Sequence, residues 1–306
     1  MIVVAGEALI DLILHPDRRL SAVAGGGPFN TARTIGRLGG DVSFVGRLST
    51  DRFGSMLREA LEADHVELAL ATSTEAPTTL AVAELDDRGA ATYRFHTAET
   101  SAPGLGLGDV LPALRDGPEA VHIGTLGLVL EPMATALSAA VGHLADDTLL
   151  MVDPNCRPSI IADRDAYLAR LTTVLARADI VKVSGDDLAY MAPGEPAIEA
   201  ARSLLPLGPS LVLLTDGARA VQALAPSFEL ELPVPPIAIV DTVGSGDAFG
   251  GAFLAWWVER GLGRDGLSDQ VAVREAVTRA IDVATLTCQR PGADPPTRTD
   301  AGWPVR

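Results

Sequence analysis

The chain has 306 residues, of which 47 % are hydrophobic and 21 % are charged, a composition typical of a folded globular protein. Its formal net charge of −16 argues against nucleic acid and anionic membrane surfaces as partners, because like charges repel. Cys156 and Cys288 are its only cysteines and make no disulfide framework, and the first residues do not resemble a signal peptide. We therefore expect a cytoplasmic protein.

Short β-branched runs alternate with longer amphipathic segments along most of the chain. Six runs are predicted to be strands buried on both faces: Ile2–Ala5, Val42–Val45, Ala120–Ile123, Leu149–Asp153, Ile180–Val183 and Leu211–Thr215. Five segments are predicted to be helices: Pro28–Leu38, Arg52–Ala63, Met133–Leu144, Gly246–Glu259 and Val271–Thr287. This alternation predicts a single α/β domain over residues 1–306 with a doubly wound, mostly parallel sheet flanked by helices.

One region interrupts the alternation. The strand-like segments Thr79–Leu85 and Ala91–His96 flank a turn-rich linker at 86–90, which is typical of a hairpin. Residues 12–23 are predicted to add a further strand. A small antiparallel sheet from residues 12–23 and 77–98 would form a lid over a cleft, and a surface hairpin without function is the alternative.

A glycine-rich run, Asp-Thr-Val-Gly-Ser-Gly-Asp at 241–247, comes directly before a predicted helix. Gly244 and Gly246 permit close approach of a phosphate, and the unpaired N–H groups at a helix N-terminus attract an anion. Asp247 lies in the first turn, where it either caps the helix or faces the anion as a general base. Asp241 adds a second carboxylate, which favours a site that also handles cations.

A second glycine cluster, Gly25-Gly26-Gly27, precedes another predicted helix that contains Asn30. The Asn30 amide offers both a donor and an acceptor, which suits vicinal hydroxyl groups, although an exposed linker is the alternative. Asp11 follows the first strand, near the sheet edge where open α/β folds bind ligands. Its carboxylate either accepts from two hydroxyls or caps a turn.

A third cluster, Asp-Pro-Asn-Cys-Arg-Pro at 153–158, follows a predicted buried strand. Arg157 is suited to bidentate phosphate binding, and an ion pair with Asp153 is the alternative. The five histidines share no metal-ligand spacing, and Ser245 has no evident histidine partner for a hydrolase triad. Lys182 is the only lysine and lies in no G-x-x-x-x-G-K-[ST] motif, which excludes ATP binding through a P-loop.

Two of these clusters together resemble the signatures of the ribokinase-like (PfkB) carbohydrate kinases. Residues 25–54, beginning Gly-Gly-Gly-Pro-Phe-Asn, are similar to the N-terminal signature, and residues 241–254 are similar to the C-terminal one. Their order and wide separation make the pair more specific than either alone. The Asp-Pro-Asn-x-Arg-Pro run at 153–158 resembles fructokinases and 2-keto-3-deoxygluconate kinases.

The resemblance implies an α/β body with a β-lid, a sugar between them and MgATP beside the sugar. It implies Asp247 as the catalytic base and the amides of Gly244, Ser245 and Gly246 as an anion hole. The implied substrate-binding residues are Asp11, Gly26, Gly27, Asn30, Tyr93, Phe95 and, near the phosphates, Arg157. The implied ATP-binding residues are Ser184, Thr215, Gly217, Gly244, Gly246 and Cys288.

The resemblance also implies metal ions. The family's Asn-x-x-Glu motif reads Ser184-x-x-Asp187 here, so Asp187 is expected to hold Mg²⁺ through water. Asp241 and Gly292 resemble a monovalent-cation site, which would bind K⁺.

The implied activity is transfer of the ATP γ-phosphate to a small carbohydrate, with fructose as the first expectation. A nucleoside kinase and a non-catalytic ligand-binding homologue are the alternatives. By strand alternation, Arg94 lies opposite Tyr93 and Phe95, but the sequence leaves open which face of the lid looks into the cleft. Uncovered apolar surface on the lid would favour a homodimer.

Overall fold

The computed structural model describes residues 1–15, 17–85, 91–115 and 117–304, so the predicted turn at 86–90 lies outside the described residues. The strands are β1 (Ile2–Ala5), β2 (Leu9–Leu14), β3 (Leu20–Gly25), β4 (Val42–Val45), β5 (Arg47–Ser49), β6 (Thr72–Thr74), β7 (Leu80–Leu85), β8 (Ala91–His96), β9 (Ala120–Gly124), β10 (Leu149–Asp153), β11 (Ile180–Ser184), β12 (Leu211–Thr215), β13 (Val221–Ala225) and β14 (Phe228–Leu232). The helices are α1 (Gly27–Arg37), α2 (Arg52–Ala63), α3 (Leu107–Leu114), α4 (Met133–Val141), α5 (Arg164–Leu175), α6 (Gly185–Met191), α7 (Ala197–Arg202), α8 (Ser245–Glu259) and α9 (Gln270–Cys288).

Eight strands form the large sheet, in the order β14-β13-β12-β11-β10-β9-β1-β4. The six strands from β12 to β4 are parallel, which confirms the predicted mostly parallel sheet. At one end of the sheet, β13 and the edge strand β14 run antiparallel, and neither was among the predicted strands. The alternating burial of Phe-Glu-Leu-Glu-Leu in β14 reflects an edge strand with one face toward solvent.

Helices cover both faces of this sheet, because the parallel strands are apolar on both sides. Ile2 and Val4 pack in a core with α1, α8 and α9, whereas Val3 and Ala5 face the opposite way, toward α3, α4 and α5. Each of these four side chains is at most 1 % exposed. Full burial of one such apolar side chain contributes roughly 1.5–3 kcal/mol, so the two cores hold the carboxyl ends of the strands in fixed positions.

The lid is a separate four-stranded sheet in the order β3-β2-β7-β8. Two predictions about it were incomplete. Residues 12–23 hold parts of two antiparallel strands, β2 and β3, rather than one. In addition, β2 and β7 pair in parallel, so the sheet is mixed rather than antiparallel. Between β3 and β7, the chain forms parts of the body that include α1 and α2. It then returns to the small sheet and enters β7 in the same direction as β2.

Local capping fixes where the helices begin. Asp51 precedes α2 as its N-cap. It accepts a hydrogen bond from the Gly54 N–H at 2.7 Å, and its second oxygen accepts from the Thr78 N–H at 2.8 Å. One carboxylate thus joins the start of α2 to the base of the lid. None of the described helices is long and apolar enough to cross a membrane.

Candidate active site

A cavity of about 860 Å³ opens at the carboxyl ends of the parallel strands, beneath the lid. Most residues singled out from the sequence line it: Asp11, Gly26, Gly27, Asn30, Tyr93, Phe95, Arg157, Ser184, Thr215, Gly217, Gly244, Ser245, Gly246 and Asp247. Four do not line it: Asp187, Asp241, Cys288 and Gly292. Ligands bind open α/β sheets at this edge, so the location is the one that the fold itself favours.

The buried carboxylate of Asp247 lies in the first turn of α8. Its Oδ2 accepts a hydrogen bond from Asn30 Nδ2 at 2.9 Å. The Asn30 Oδ1 is buried and has no hydrogen-bond partner among the described residues. An unpaired buried acceptor is costly unless a ligand donates to it, so this amide is prepared to receive a hydroxyl or amine group.

The backbone around Asp247 forms the predicted anion site. Gly244 is in the left-handed conformation, at φ 74° and ψ −2°, and turns the chain into α8. Within the described residues, the N–H groups of Gly244, Gly246 and Asp247 make no hydrogen bond. The Ser245 N–H instead donates to the Thr242 carbonyl at 3.3 Å, so this predicted amide is partly engaged. The free amides and the helix dipole together favour a phosphate here.

Asp11, on β2, also lines the cavity. A Cβ at Gly25 on β3 would collide with the Asp11 carboxylate. Glycine at position 25 therefore leaves room for the acid. Burial, with a smaller contribution from the charge of Asp247, raises the pKa of Asp11 to about 6. It remains largely ionised at pH 7, and an ionised carboxylate accepts hydrogen bonds from two hydroxyl groups.

Glu7 is a site residue that was not predicted from the sequence. Its side chain is fully buried, and its two oxygens accept hydrogen bonds from the Gly27 N–H at 3.2 Å and the Gly127 N–H at 3.1 Å. Burial raises the pKa of Glu7 to about 8. The acid ties the first residue of α1 to the short 3-10 helix after β9, and both segments contribute residues to the cavity wall.

The aromatic face of the lid looks into the cavity. Tyr93 and Phe95 both line it, and their rings stack with centroids 6.3 Å apart. Arg94 lies on the opposite face and forms an exposed ion pair with Glu84 at 3.2 Å. The structure thereby answers a question that strand alternation left open, and it places Arg94 away from any substrate in this cavity.

The Asp-Pro-Asn-x-Arg run contributes Asn155 and Arg157 to the cavity wall. The alternative interpretation, an ion pair between Arg157 and Asp153, is wrong. Asp153 pairs with Lys182 at 2.8 Å, and Arg157 donates to the carbonyls of Asn155 and Cys156. Arg157 therefore lines the cavity without an ion pair to Asp153.

The structure gives Asp187 a different surrounding from the one expected of a metal ligand. One of its oxygens accepts from the Cys156 N–H at 2.6 Å, and the other accepts from the N–H and the hydroxyl of Ser184. The side chain is buried in a capping box at the start of α6. The neighbouring Asp186 and, on the next strand end, Asp216 are the carboxylates that line this part of the cavity.

Asp241 and Gly292 lie together beside the cavity rather than in it. The Asp241 carboxylate accepts hydrogen bonds from the Gly292 N–H at 2.9 Å and the Val243 N–H at 3.0 Å. Cys288 is next to them, since its carbonyl accepts from the Asp241 N–H at 3.2 Å. The sequence thus paired Asp241 with Gly292 correctly in space, and its pairing of Cys288 with the nucleotide stays a prediction.

A model of the pfkB family of carbohydrate kinases matches residues 1–300. The chain belongs to the pfkB family. It is therefore a carbohydrate kinase, a phosphotransferase with an alcohol group as acceptor, as the sequence resemblance predicted.

This pfkB kinase is similar to two fructokinases and shares its fold with a riboside kinase. A fructokinase of Rhizobium leguminosarum bv. trifolii is 34 % identical over 259 residues, which cover 83 % of this chain and 79 % of the relative. The crystal structure of a fructokinase with bound ATP from Xylella fastidiosa has a TM-score of 0.90 at 27 % identity, over 98 % of this chain and 96 % of that one. Aminoimidazole riboside kinase from Salmonella enterica, with a TM-score of 0.86 at 21 % identity over 98 % of both chains, shares the fold.

Proposed function

We propose that this pfkB kinase transfers the γ-phosphate of ATP to a hydroxyl of fructose in the cytoplasm. The observation that carries the proposal is the Asp247–Asn30 pair: a buried carboxylate and an unpaired amide oxygen face one cavity beside free helix N–H groups. A fructokinase is 34 % identical to the chain, and a related fructokinase binds ATP in its crystal structure.

Residues suited to bind a sugar, to accept a proton and to bind a phosphate all line this cavity. Asp11 and Asn30 would bind sugar hydroxyls, and Tyr93 on the lid would cover the sugar and exclude water. Asp247 would accept the proton of the attacking hydroxyl, and the N–H groups of Gly244 and Gly246 would bind the γ-phosphate. Most of the catalysis then comes from positioning and charge stabilisation, since phosphoryl transfer requires little else of the protein.

Magnesium would be held mainly by the ATP phosphates. The described residues contain no group of three or more metal-ligating side chains, and magnesium in kinases commonly uses one or two carboxylates plus phosphates and water. Asp186 and Asp216 fit this role better than the enclosed Asp187, because they line the cavity. When bound, the ion neutralises charge on the β- and γ-phosphates.

Potassium would bind near Asp241 and Gly292. The two lie close together beside the start of α8, and each Asp241 oxygen keeps a lone pair beyond the hydrogen bond that it accepts. A cation here would lie next to the loop that carries Gly244, and we expect it to raise activity by steadying that loop.

The test is ADP release from MgATP by the purified protein, with fructose, glucose, 2-keto-3-deoxygluconate and adenosine as acceptors, each with and without K⁺. We expect fructose to give the highest kcat/KM and K⁺ to raise it. Stimulation by adenosine alone would instead support a nucleoside kinase. Aminoimidazole riboside kinase, which shares the fold of this chain, is a kinase for a riboside. Bound ATP with no turnover for any acceptor would support a non-catalytic homologue.

We further propose that two copies associate through the lid. Leu14 and Leu20 are neighbours on β2 and β3, and they are 39 % and 62 % exposed. Leu20 lies on the edge strand β3, and exposed apolar residues at a sheet edge are commonly covered by a partner. Sedimentation should give a dimer for the wild type and a monomer for Leu20→Glu. A monomeric wild type at micromolar concentration would contradict the proposal.

A further inference from the structure

Lys182, the only lysine among 24 basic residues, has no role in the reaction described above although it lines the cavity. Its side chain is 5 % exposed, and its Nζ donates to Asp153 Oδ2 at 2.8 Å. A buried ion pair is weak evidence for stability, because both ions lose their hydration. Stability alone therefore does not explain the ion pair, and the position of the ammonium group points to a function.

The ammonium group lies directly beneath the turn that begins α8. A Cβ at Gly246 would lie 3.0 Å from Lys182 Nζ, and a Cβ at Gly250 would lie 4.0 Å from its Cδ. Because both positions are glycine, the lysine side chain can run along the helix and bring its charge to the anion site. The same charge helps to lower the pKa of Asp247, although burial outweighs it.

Lys182 also has donors to spare. An ammonium group has three N–H donors, and within the described residues Lys182 uses one of them, toward Asp153. The transferred phosphoryl group carries its charge on three non-bridging oxygens. In a chain with a net charge of −16, positive charge for those oxygens beyond that of a bound metal ion has to come from residues of the cavity itself.

We propose that Lys182 is a further catalytic residue, which donates a hydrogen bond from Nζ to a non-bridging oxygen of the γ-phosphoryl group. This inference rests on the proposed function. The bond between the γ-phosphorus and the β–γ bridging oxygen breaks, and its electron pair leaves with ADP. The sugar oxygen forms the new bond to phosphorus, and its proton passes to Asp247. Lys182 keeps its proton throughout, and Asp153 is the positioning residue that holds the ammonium in place.

The experiment compares Lys182→Met with the double variant Lys182→Met/Asp153→Asn. Lys182→Met alone leaves the Asp153 carboxylate buried without a partner, which can prevent folding, whereas the double variant removes both charges together. We expect the double variant to melt within a few degrees of the wild type. Its kcat with fructose should fall about 10²–10³-fold, the usual cost of removing one donor to a developing charge. Its KM for fructose should stay within about twofold of the wild type.

The outcomes separate this inference from the proposed function. A double variant with the kcat of the wild type would show that Lys182 only neutralises Asp153, and it would overturn the inference while leaving the kinase assignment intact. A wild type that binds ATP without turnover would contradict the proposed function, and the catalytic role of Lys182 would fail with it.

A second measurement does not depend on turnover. Because Lys182 is the only lysine, protein labelled with ¹⁵N-lysine has a single Nζ signal. The signal should shift when a non-hydrolysable ATP analogue binds together with fructose, and it should shift much less with ADP, which lacks the γ-phosphate. Equal shifts with the two nucleotides would contradict contact with the γ-phosphoryl group.

Discussion

Replacement of Asp247 by Asn should lower kcat with fructose by at least 10²–10⁴-fold, the usual contribution of a positioned base, while the protein stays folded. The fold should tolerate the change because the side chain makes no capping bond to α8, and the amide oxygen of Asn can still accept from Asn30. Burial also disfavours the charged carboxylate, so the melting temperature should stay the same or rise. Steady-state kinetics and thermal unfolding measure the two effects separately.

Asp269 provides a matched control, since it is an aspartate at a helix N-terminus with a purely structural setting. Its carboxylate accepts from the N–H groups of Val271 and Ala272 at 2.8 and 3.3 Å. Asp269→Ala should cost about 0.5–2 kcal/mol of stability and leave kcat unchanged. Near-normal turnover in Asp247→Asn would remove Asp247 from the mechanism and with it the main support for the proposed function.

The pH profile gives an independent check of the same carboxylates. Burial raises the pKa of Asp247 above its ordinary range, and it raises that of Asp11 to about 6. Below its pKa, Asp247 carries a proton and cannot accept one from the sugar. Asp11 also gains a proton below about pH 6 and then binds sugar hydroxyls less well. We therefore expect kcat/KM to fall as the pH drops below about 6, whereas exposed aspartates would hold it level down to about pH 4. A flat profile to pH 4.5 would contradict the raised pKa of these two buried carboxylates.

The sequence was informative where a residue's role follows from its place along the chain. Asp247 follows a glycine turn at a helix start, and the structure opens that turn onto the cavity. Asn30 and Asn155, the only asparagines, both line the cavity. Family signatures concentrate in such segments because loops at strand ends carry the chemistry, while the strands only position it.

Burial and pairing across the sheet were not readable from the sequence. Glu7 could not be singled out, because nothing along the chain shows that its carboxylate is enclosed by two backbone amides. Asp153 seemed equally suited to Arg157, its near neighbour, but its true partner Lys182 comes from the adjacent strand. The one available signal for Lys182 was its singularity in an arginine-rich chain.

Asp187 shows a third limit of prediction from the sequence, because the same motif position is compatible with two structural roles. A carboxylate three residues after Ser184 fits both a capping box and a metal ligand, and the two readings share the same spacing. The structure favours the cap, with three donors around the buried side chain.

Replacement of Gly244 by Ala should damage the anion site and the fold around it. Gly244 has φ 74°, which costs an alanine about 1 kcal/mol, and its new Cβ would lie 2.5 Å from the Cβ of Ala293. The turn before α8 must then shift, and the N–H groups of Gly244 and Gly246 would no longer point at one phosphate. We expect kcat to fall about 10²–10³-fold, as on loss of an oxyanion donor, measured beside the melting temperature.

Gly261→Ala is a control that has the backbone strain of Gly244→Ala without its steric collision. It follows the C-terminal end of the same helix α8 with φ 64°, but a Cβ there would meet no atom within 4 Å. Gly261→Ala should therefore lose about 1 kcal/mol of stability and keep the kcat of the wild type. If Gly244→Ala were no less active than Gly261→Ala, the turn would tolerate displacement. The γ-phosphate would then have to be bound elsewhere, by side chains such as Arg157 rather than by the backbone of α8.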